Sequence, residues 1–116
     1  MVNRVRGEYE ITLDGQIHTL VLTYEILIEI ESTTGLSVFQ LFEKAYNGSM
    51  MISELAVIVH FAMRVEESER PSIVEVGALL LKEGVGELVI PIGLFFTEAI
   101  NGGAKAKKKA AVKRKN

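Results

Sequence analysis

The chain has 116 residues, of which 48% are hydrophobic and 24% charged, enough material for one globular domain. It contains no cysteine, so disulfides, thiolate nucleophiles and cysteine-ligated metal centres are excluded, and two histidines are too few for the commoner zinc sites. The longest apolar stretch, Leu88 to Phe96, is far shorter than the roughly 18 residues of a membrane span, and no export signal is visible. We therefore expect a soluble, cytoplasmic protein without membrane contact.

The net charge of −2 hides a strong asymmetry between the body of the chain and its end. All 15 acidic residues lie within residues 1–102 beside six basic ones, which gives that part a charge of −9. Residues 103–116 hold no acid and only one larger apolar residue, Val112, so we predict a single domain over 1–102 and a disordered basic tail. The cations of this tail are Lys105, Lys107, Lys108, Lys109, Lys113, Arg114 and Lys115.

The clearest local signal is a β-hairpin near the N-terminus. Asp14 and Gly15 supply the positive φ angles that a two-residue type I′ turn requires. This turn sets Leu13 opposite Gln16 and fixes the register of the two strands. One face of the hairpin is then largely apolar, and its members are Tyr9, Ile11, Leu13, His18, Leu20 and Leu22.

Two helices are predicted after the hairpin. Residues 24–34 alternate as a strand would, but their length between a capping Thr23 and a terminating Gly35 favours a helix. Ser37 and Gln40 form a capping box that begins a second helix, which ends at Asn47-Gly48. The apolar stripe of this helix consists of Val38, Leu41, Phe42, Ala45 and Tyr46.

Three further helices are predicted in the second half. Ser53 begins the third, and a capping box of Ser72 and Glu75 begins the fourth after a polar loop over 66–71. We interpret Gly84-Val85-Gly86 as a connector and expect the last helix from about Glu87 to Ile100. Pro91 lies near enough to its first turn either to be tolerated or to mark a later start. The sequence thus predicts an α+β fold, in which an N-terminal β-hairpin precedes a bundle of about five short α-helices.

The last three helices are apolar around more than one stripe, and such helices are buried on several sides. A domain of about 100 residues has too little interior for all of them, so we expect some of these surfaces to meet another chain, either a second copy or a client. The candidate partner-binding residues are Leu55, Ile58, Val59, Ala62, Met63, Leu94, Phe95 and Phe96.

No constellation of catalytic or metal-ligating residues is apparent. His18 and His60 stand without a nucleophile or a second ligand at a recognisable spacing, so a structural role is expected for both. The acidic runs around Glu29 and Glu67 lack the pattern of a calcium loop and are expected to be solvated. We predict no enzymatic activity, no metal and no cofactor.

Several segments of the first 65 residues resemble the phage and gene-transfer-agent tail assembly chaperone family. They are Asn3-Arg4-Val5-Arg6-Gly7-Glu8, Leu13-Asp14-Gly15, Leu20-Val21-Leu22-Thr23, the acidic positions Glu29 and Glu31, and Gly35-Leu36-Ser37. The resemblance implies a small non-enzymatic α+β protein that binds the tape measure protein and helps recruit tail tube subunits in the host cytoplasm. It also implies that the protein is absent from the finished particle.

Two alternatives remain open at this point. One is a minor structural virion protein of the tail tube or tail completion type, for which an oligomerising hairpin edge would be the key feature. The other is nonspecific nucleic-acid binding through the basic tail, which has cations to release counterions but no aromatic side chain for base stacking.

Overall fold

The computed structural model describes residues 7–102, and the predicted α+β architecture is confirmed. A two-stranded antiparallel sheet is followed by five α-helices, with one short 3₁₀ turn at Glu67–Glu69. The elements are β1 (Glu8–Leu13), β2 (Gln16–Val21), α1 (Tyr24–Thr34), α2 (Val38–Tyr46), α3 (Ile52–Ala62), α4 (Ile73–Glu83) and α5 (Val85–Ile100). The basic tail over 103–116 lies outside the described residues.

The hairpin has the predicted turn and register. Asp14 and Gly15 adopt φ angles of 52° and 80°, as a type I′ turn requires, and Leu13 pairs with Gln16. Ile11, Leu13 and Leu20 are buried on the predicted apolar face. Because an isolated hairpin is marginal in water, this face needs the helices beneath it.

Capping side chains determine where most of the helices begin. Thr23 Oγ1 accepts a hydrogen bond from the N–H of Ile26, and residues 24–34 form a helix rather than a strand. Ser37 and Gln40 form the predicted capping box of α2, and Ser72 forms the equivalent box of α4 with Glu75. These bonds satisfy N–H groups that have no partner within the helix.

Two predicted helix starts are wrong by one or two residues. Helix α3 begins at Ile52 and not at Ser53, because the Glu54 carboxylate accepts a hydrogen bond from the Met51 N–H at 2.8 Å and caps the helix there. Helix α5 begins at Val85, so only Gly84 connects it to α4. Pro91 lies within α5 in its second turn, where it removes one backbone hydrogen bond without ending the helix.

Helix α3 lies at the centre of the fold. It packs against α1, α4 and β2, while α5 packs against α2 and α4. The rings of Tyr9 and Phe95 stack with centroids 5.7 Å apart, which joins the hairpin to α5. The fully buried core comes from β1, β2 and all five helices, and its largest members include Phe96, Leu13, Leu20, Ile30, Leu41, Ile58, Leu80 and Ile92.

The two edges of the sheet differ. The carbonyl of Thr19 accepts a hydrogen bond from the Arg64 N–H at 2.8 Å, so the segment after α3 engages the outer edge of β2. Because both backbone groups of a residue in an antiparallel pair point to the same side, Glu10, the partner of Thr19, turns its N–H and C=O away from β2. Within residues 7–102, no backbone hydrogen bond reaches this outer edge of β1.

Candidate functional site

An apolar groove of about 490 Å³ lies between α2 and α5. Its α2 wall presents three residues at helical spacing, and its α5 wall presents four residues at the i, i+3, i+4, i+7 spacing of one helix face. They are Phe42, Ala45 and Tyr46 on α2, and Ile90, Gly93, Leu94 and Thr97 on α5. We call this feature the α2–α5 groove.

Small residues form the floor of the α2–α5 groove. Gly93 has no side chain, and a Cβ atom at this position would lie 3.2 Å from the Cβ of Ala45, so the two helices approach closely here. Thr97 Oγ1 donates a hydrogen bond to the Gly93 carbonyl at 2.8 Å, which satisfies its hydroxyl within α5. The floor therefore offers apolar contact without an unsatisfied hydroxyl.

Large exposed side chains form the rims. Tyr46 is 84% exposed, Ile90 68% and Leu94 55%, although all three are large and mostly apolar. The rings of Phe42 and Tyr46 lie 6.2 Å apart on the α2 side. Exposed apolar side chains that surround a concave surface are typical of protein-binding sites.

The α2–α5 groove is lined by no titratable side chain except the phenol of Tyr46. General acid or base catalysis needs a positioned proton donor or acceptor with a pKa suited to the reaction. The groove is instead suited to bind another apolar surface, because binding would bury apolar area on both sides.

A second depression, of about 440 Å³, lies beside α1 and the end of α3 and contains charged residues. Its Arg70 donates hydrogen bonds to the carbonyls of His60 and Met63 at 2.7 and 2.8 Å, and thereby caps the end of α3. The hydrogen bond and charge of Arg70 also lower the pKa of Glu67. Arg64 pairs with Glu8. Both arginines of this depression are thus engaged in internal contacts.

The two histidines have separate environments. His60 Nδ1 lies 2.8 Å from the Pro71 carbonyl, and its ring contacts that of Phe61 edge to face. His18 lines a third depression, of about 320 Å³, together with residues that include Pro71. Within residues 7–102, no group of three or more histidine or acidic side chains is placed to hold a metal ion.

Seven of the eight candidate partner-binding residues lie in the core. The stripe on α3 is buried because this helix is enclosed by α1, α4 and β2, and the two phenylalanines of α5 face inward. These seven are Leu55, Ile58, Val59, Ala62, Met63, Phe95 and Phe96, each at most 2% exposed. Leu94 alone of the predicted set is exposed, and it lies on a rim of the α2–α5 groove.

Sequence reasoning did not single out Tyr46, Ile90 or Gly93, which line the α2–α5 groove. The usable signal was on α5, where Ile90, Leu94 and Thr97 form a second apolar stripe beside the buried one. Tyr46 follows the stripe of α2 at the correct spacing for a core residue, and only the position of α5 shows that it lies at the surface.

The predicted basic tail lies outside the described residues, so the structure says nothing of its cations. In the part of the chain that is described, none of the helices has the length and apolar character to cross a membrane.

A comparison of the sequence with protein-family models finds one matching family. The model of the family described as phage tail tube protein, GTA-gp10, matches residues 6–92. No curated protein and no solved structure matches the chain. The predicted relation to phage and gene-transfer-agent tail proteins is confirmed, whereas the family description names a tail tube protein and not an assembly chaperone.

Proposed function

Because the chain belongs to the family described as phage tail tube protein, GTA-gp10, we propose that it is a structural protein of a phage or gene-transfer-agent tail. The family match is the observation that carries this proposal. It spans both strands, α1 to α4 and the first half of α5, so it includes the whole α2 wall of the α2–α5 groove. In this function the protein binds other tail proteins stoichiometrically and catalyses no reaction.

Two surfaces support such a role. The α2–α5 groove presents exposed apolar side chains on one side of the molecule. The outer edge of β1 carries backbone groups that no other backbone group within residues 7–102 engages. A sheet edge of this kind can accept a strand from a neighbouring chain. Two different contact surfaces allow head-to-tail association, from which rings or filaments are built.

A tail assembly chaperone is the second candidate, and the shape of the α2–α5 groove favours it. The i, i+3, i+4, i+7 spacing of its α5 wall suits the face of an amphipathic helix, as in other helix-in-groove complexes. A chaperone would use this groove to hold helical segments of the tape measure protein in the host cytoplasm and to bring tail tube subunits to it. It would then leave before the particle is complete.

The experiment that tests the proposal is quantitative mass spectrometry of purified particles from a producing strain, with a strain that lacks the gene as the matched control. A structural tail protein is present at a fixed ratio to the other tail proteins, and its deletion abolishes normal tails. Absence from particles, combined with loss of tails on deletion and co-purification with the tape measure protein from lysate, would favour the chaperone. Normal tails in the deletion strain would overturn both functions.

A further inference from the structure

We infer that the α2–α5 groove binds an amphipathic helix whose apolar stripe is flanked by lysine or arginine side chains. This inference rests on the proposed function, because it takes the helix to belong to another tail protein. Three features carry it: the length of the groove, the sign of the charges beside it and the charges that a second copy would bring.

The dimensions of the groove suit a short helical segment. The α5 wall runs from Ile90 to Thr97, which is about 10 Å along a helix axis. Two turns of a partner helix cover this length and present two or three apolar anchors. The floor at Gly93 and Ala45 gives those anchors room between the rims.

Acidic side chains flank the groove on both walls. Glu87, which is exposed, lies three residues before Ile90, so it neighbours a rim residue on the surface of α5. Glu43 holds the corresponding position on α2, three residues before Tyr46. The two walls thus place carboxylates beside the apolar surface.

The same two helices offer almost no compensating positive charge. Helix α5 has no basic residue, and the one cation of α2, Lys44, donates hydrogen bonds to both carboxylate oxygens of Glu54. A partner helix with basic flanks is therefore attracted to both sides of the groove, and one with acidic flanks is repelled.

The acidic flanks distinguish among three possible occupants of the groove: a second copy of the chain, its own segment 103–116 and a helix of another protein. A second copy that placed its own groove face here in a two-fold dimer would set acidic flanks against acidic flanks. The basic segment 103–116 of this chain has the right charge, but Val112 is its only larger apolar residue and cannot supply two anchors. A distinct basic amphipathic helix meets both requirements.

The test uses the full chain and three designed helical peptides of equal length with the same leucine stripe at i, i+3, i+4 and i+7. Their flanking positions are lysine, glutamine or glutamate, and binding is followed by fluorescence anisotropy. We expect the lysine peptide to bind about tenfold more tightly than the glutamine peptide and the glutamate peptide to bind most weakly. The differences in affinity among the three peptides should become smaller in 0.5 M salt, where charges are screened.

Matched variants locate the binding site. Leu94→Asp should abolish binding of the lysine peptide, whereas Val74→Asp, which alters an exposed apolar residue of α4, should leave it unchanged. Circular dichroism verifies that both variants are folded. The charge contribution is tested with Glu87→Gln, which should reduce the preference for lysine over glutamine flanks.

Each contrary outcome would refute a specific part of this inference. Equal affinity for the three peptides overturns the charge argument, and binding that survives Leu94→Asp overturns the location. Tighter binding by a chain truncated after Gly102 would show that the chain's own tail occupies the groove, which also overturns the inference. These results are independent of the particle experiment: normal tails in the deletion strain refute the proposed function, whereas tail loss with no peptide preference refutes this inference alone.

Discussion

The ammonium group of Lys44 lies 3.0 Å from Oε2 of Glu54, whose carboxylate is almost fully buried at the start of α3. The other carboxylate oxygen accepts the Met51 N–H at 2.8 Å. The pair therefore joins the last turn of α2 to the first turn of α3, where a negative charge also interacts favourably with the helix dipole. Glu54 is the one charged residue in the buried set of the described chain.

Removal of either partner of this pair is expected to destabilise the fold. Glu54→Ala loses a helix cap and leaves Lys44 without its partner, and we expect a loss of about 2–4 kcal/mol in the free energy of unfolding. Lys44→Met leaves the buried carboxylate uncompensated and should cost a comparable amount. Urea denaturation at pH 7 measures both, with the exposed Glu43→Ala as a control expected to change stability by less than about 0.5 kcal/mol. Equal small effects in all three variants would contradict this account.

Arg70 is expected to be required for the end of α3. Its guanidinium binds two carbonyls that have no partner within the helix, a geometry that the single ammonium of lysine reproduces poorly. We expect Arg70→Lys to lower the free energy of unfolding by about 1–3 kcal/mol. Arg64→Lys provides the comparison, because the Arg64 side chain is more than half exposed and its ion pair with Glu8 contributes little. A larger effect at position 64 than at 70 would be inconsistent with the capping role.

The ion pair of Glu67 with Arg70 predicts a pH dependence. Since Arg70 lowers the pKa of Glu67 in the folded state below its ordinary value of 4.5, the stabilisation is present above pH 4.5 and is lost as the pH falls further. The difference in urea midpoint between the native chain and Glu67→Gln should therefore be positive at pH 7 and shrink below pH 4.5. High salt should reduce the same difference at pH 7, because Glu67 is exposed. A difference that grows on acidification would reverse the assigned sign.

Local features of the fold were predictable because single residues encode them. The Asp14-Gly15 turn determines the strand register, and the boxes at Ser37 and Ser72 determine the starts of two helices. The start of α5 was not predictable in the same way. Pro91 indicates a boundary in sequence, but packing of Ile92 and Phe96 keeps the helix continuous through it.

The candidate site was harder to predict than the fold. Periodicity marks Ile58 on α3 and Leu94 on α5 alike as apolar helix positions, and nothing in either helix alone says which one the fold encloses. That depends on which neighbours surround a helix. Helix α3 is enclosed by α1, α4 and β2, whereas the face of α5 that carries Ile90 and Leu94 is exposed. The predicted surplus of apolar side chains is visible as exposed apolar residues at the rims of the α2–α5 groove and elsewhere on the surface, and their role in binding stays a prediction.

Truncation after Gly102 is expected to leave the melting temperature of the chain nearly unchanged. Residues 103–116 contain seven cations and one larger apolar residue, so they have little apolar area to bury. Differential scanning calorimetry of the full and shortened chains makes the comparison, at low and at physiological salt. A drop of several degrees would mean that this segment contributes to the folded domain, and sensitivity to salt would identify the contribution as electrostatic.

Charged substitutions at Ile58 and Leu94 should have opposite consequences. Ile58 is fully buried, so Ile58→Asp places an unpaired charge in the core, and we expect loss of more than about 4 kcal/mol and an unfolded chain. Leu94 is 55% exposed, so Leu94→Asp should change stability by less than about 1 kcal/mol while abolishing binding at the α2–α5 groove. Circular dichroism and urea denaturation measure the first effect, and peptide binding measures the second. Ile58→Leu, which keeps the volume, serves as the conservative control and should cost less than about 1.5 kcal/mol. An unfolded Leu94→Asp variant would mean that this side chain supports the core, and the rim of the groove would then have to be assigned to Tyr46 and Ile90 alone.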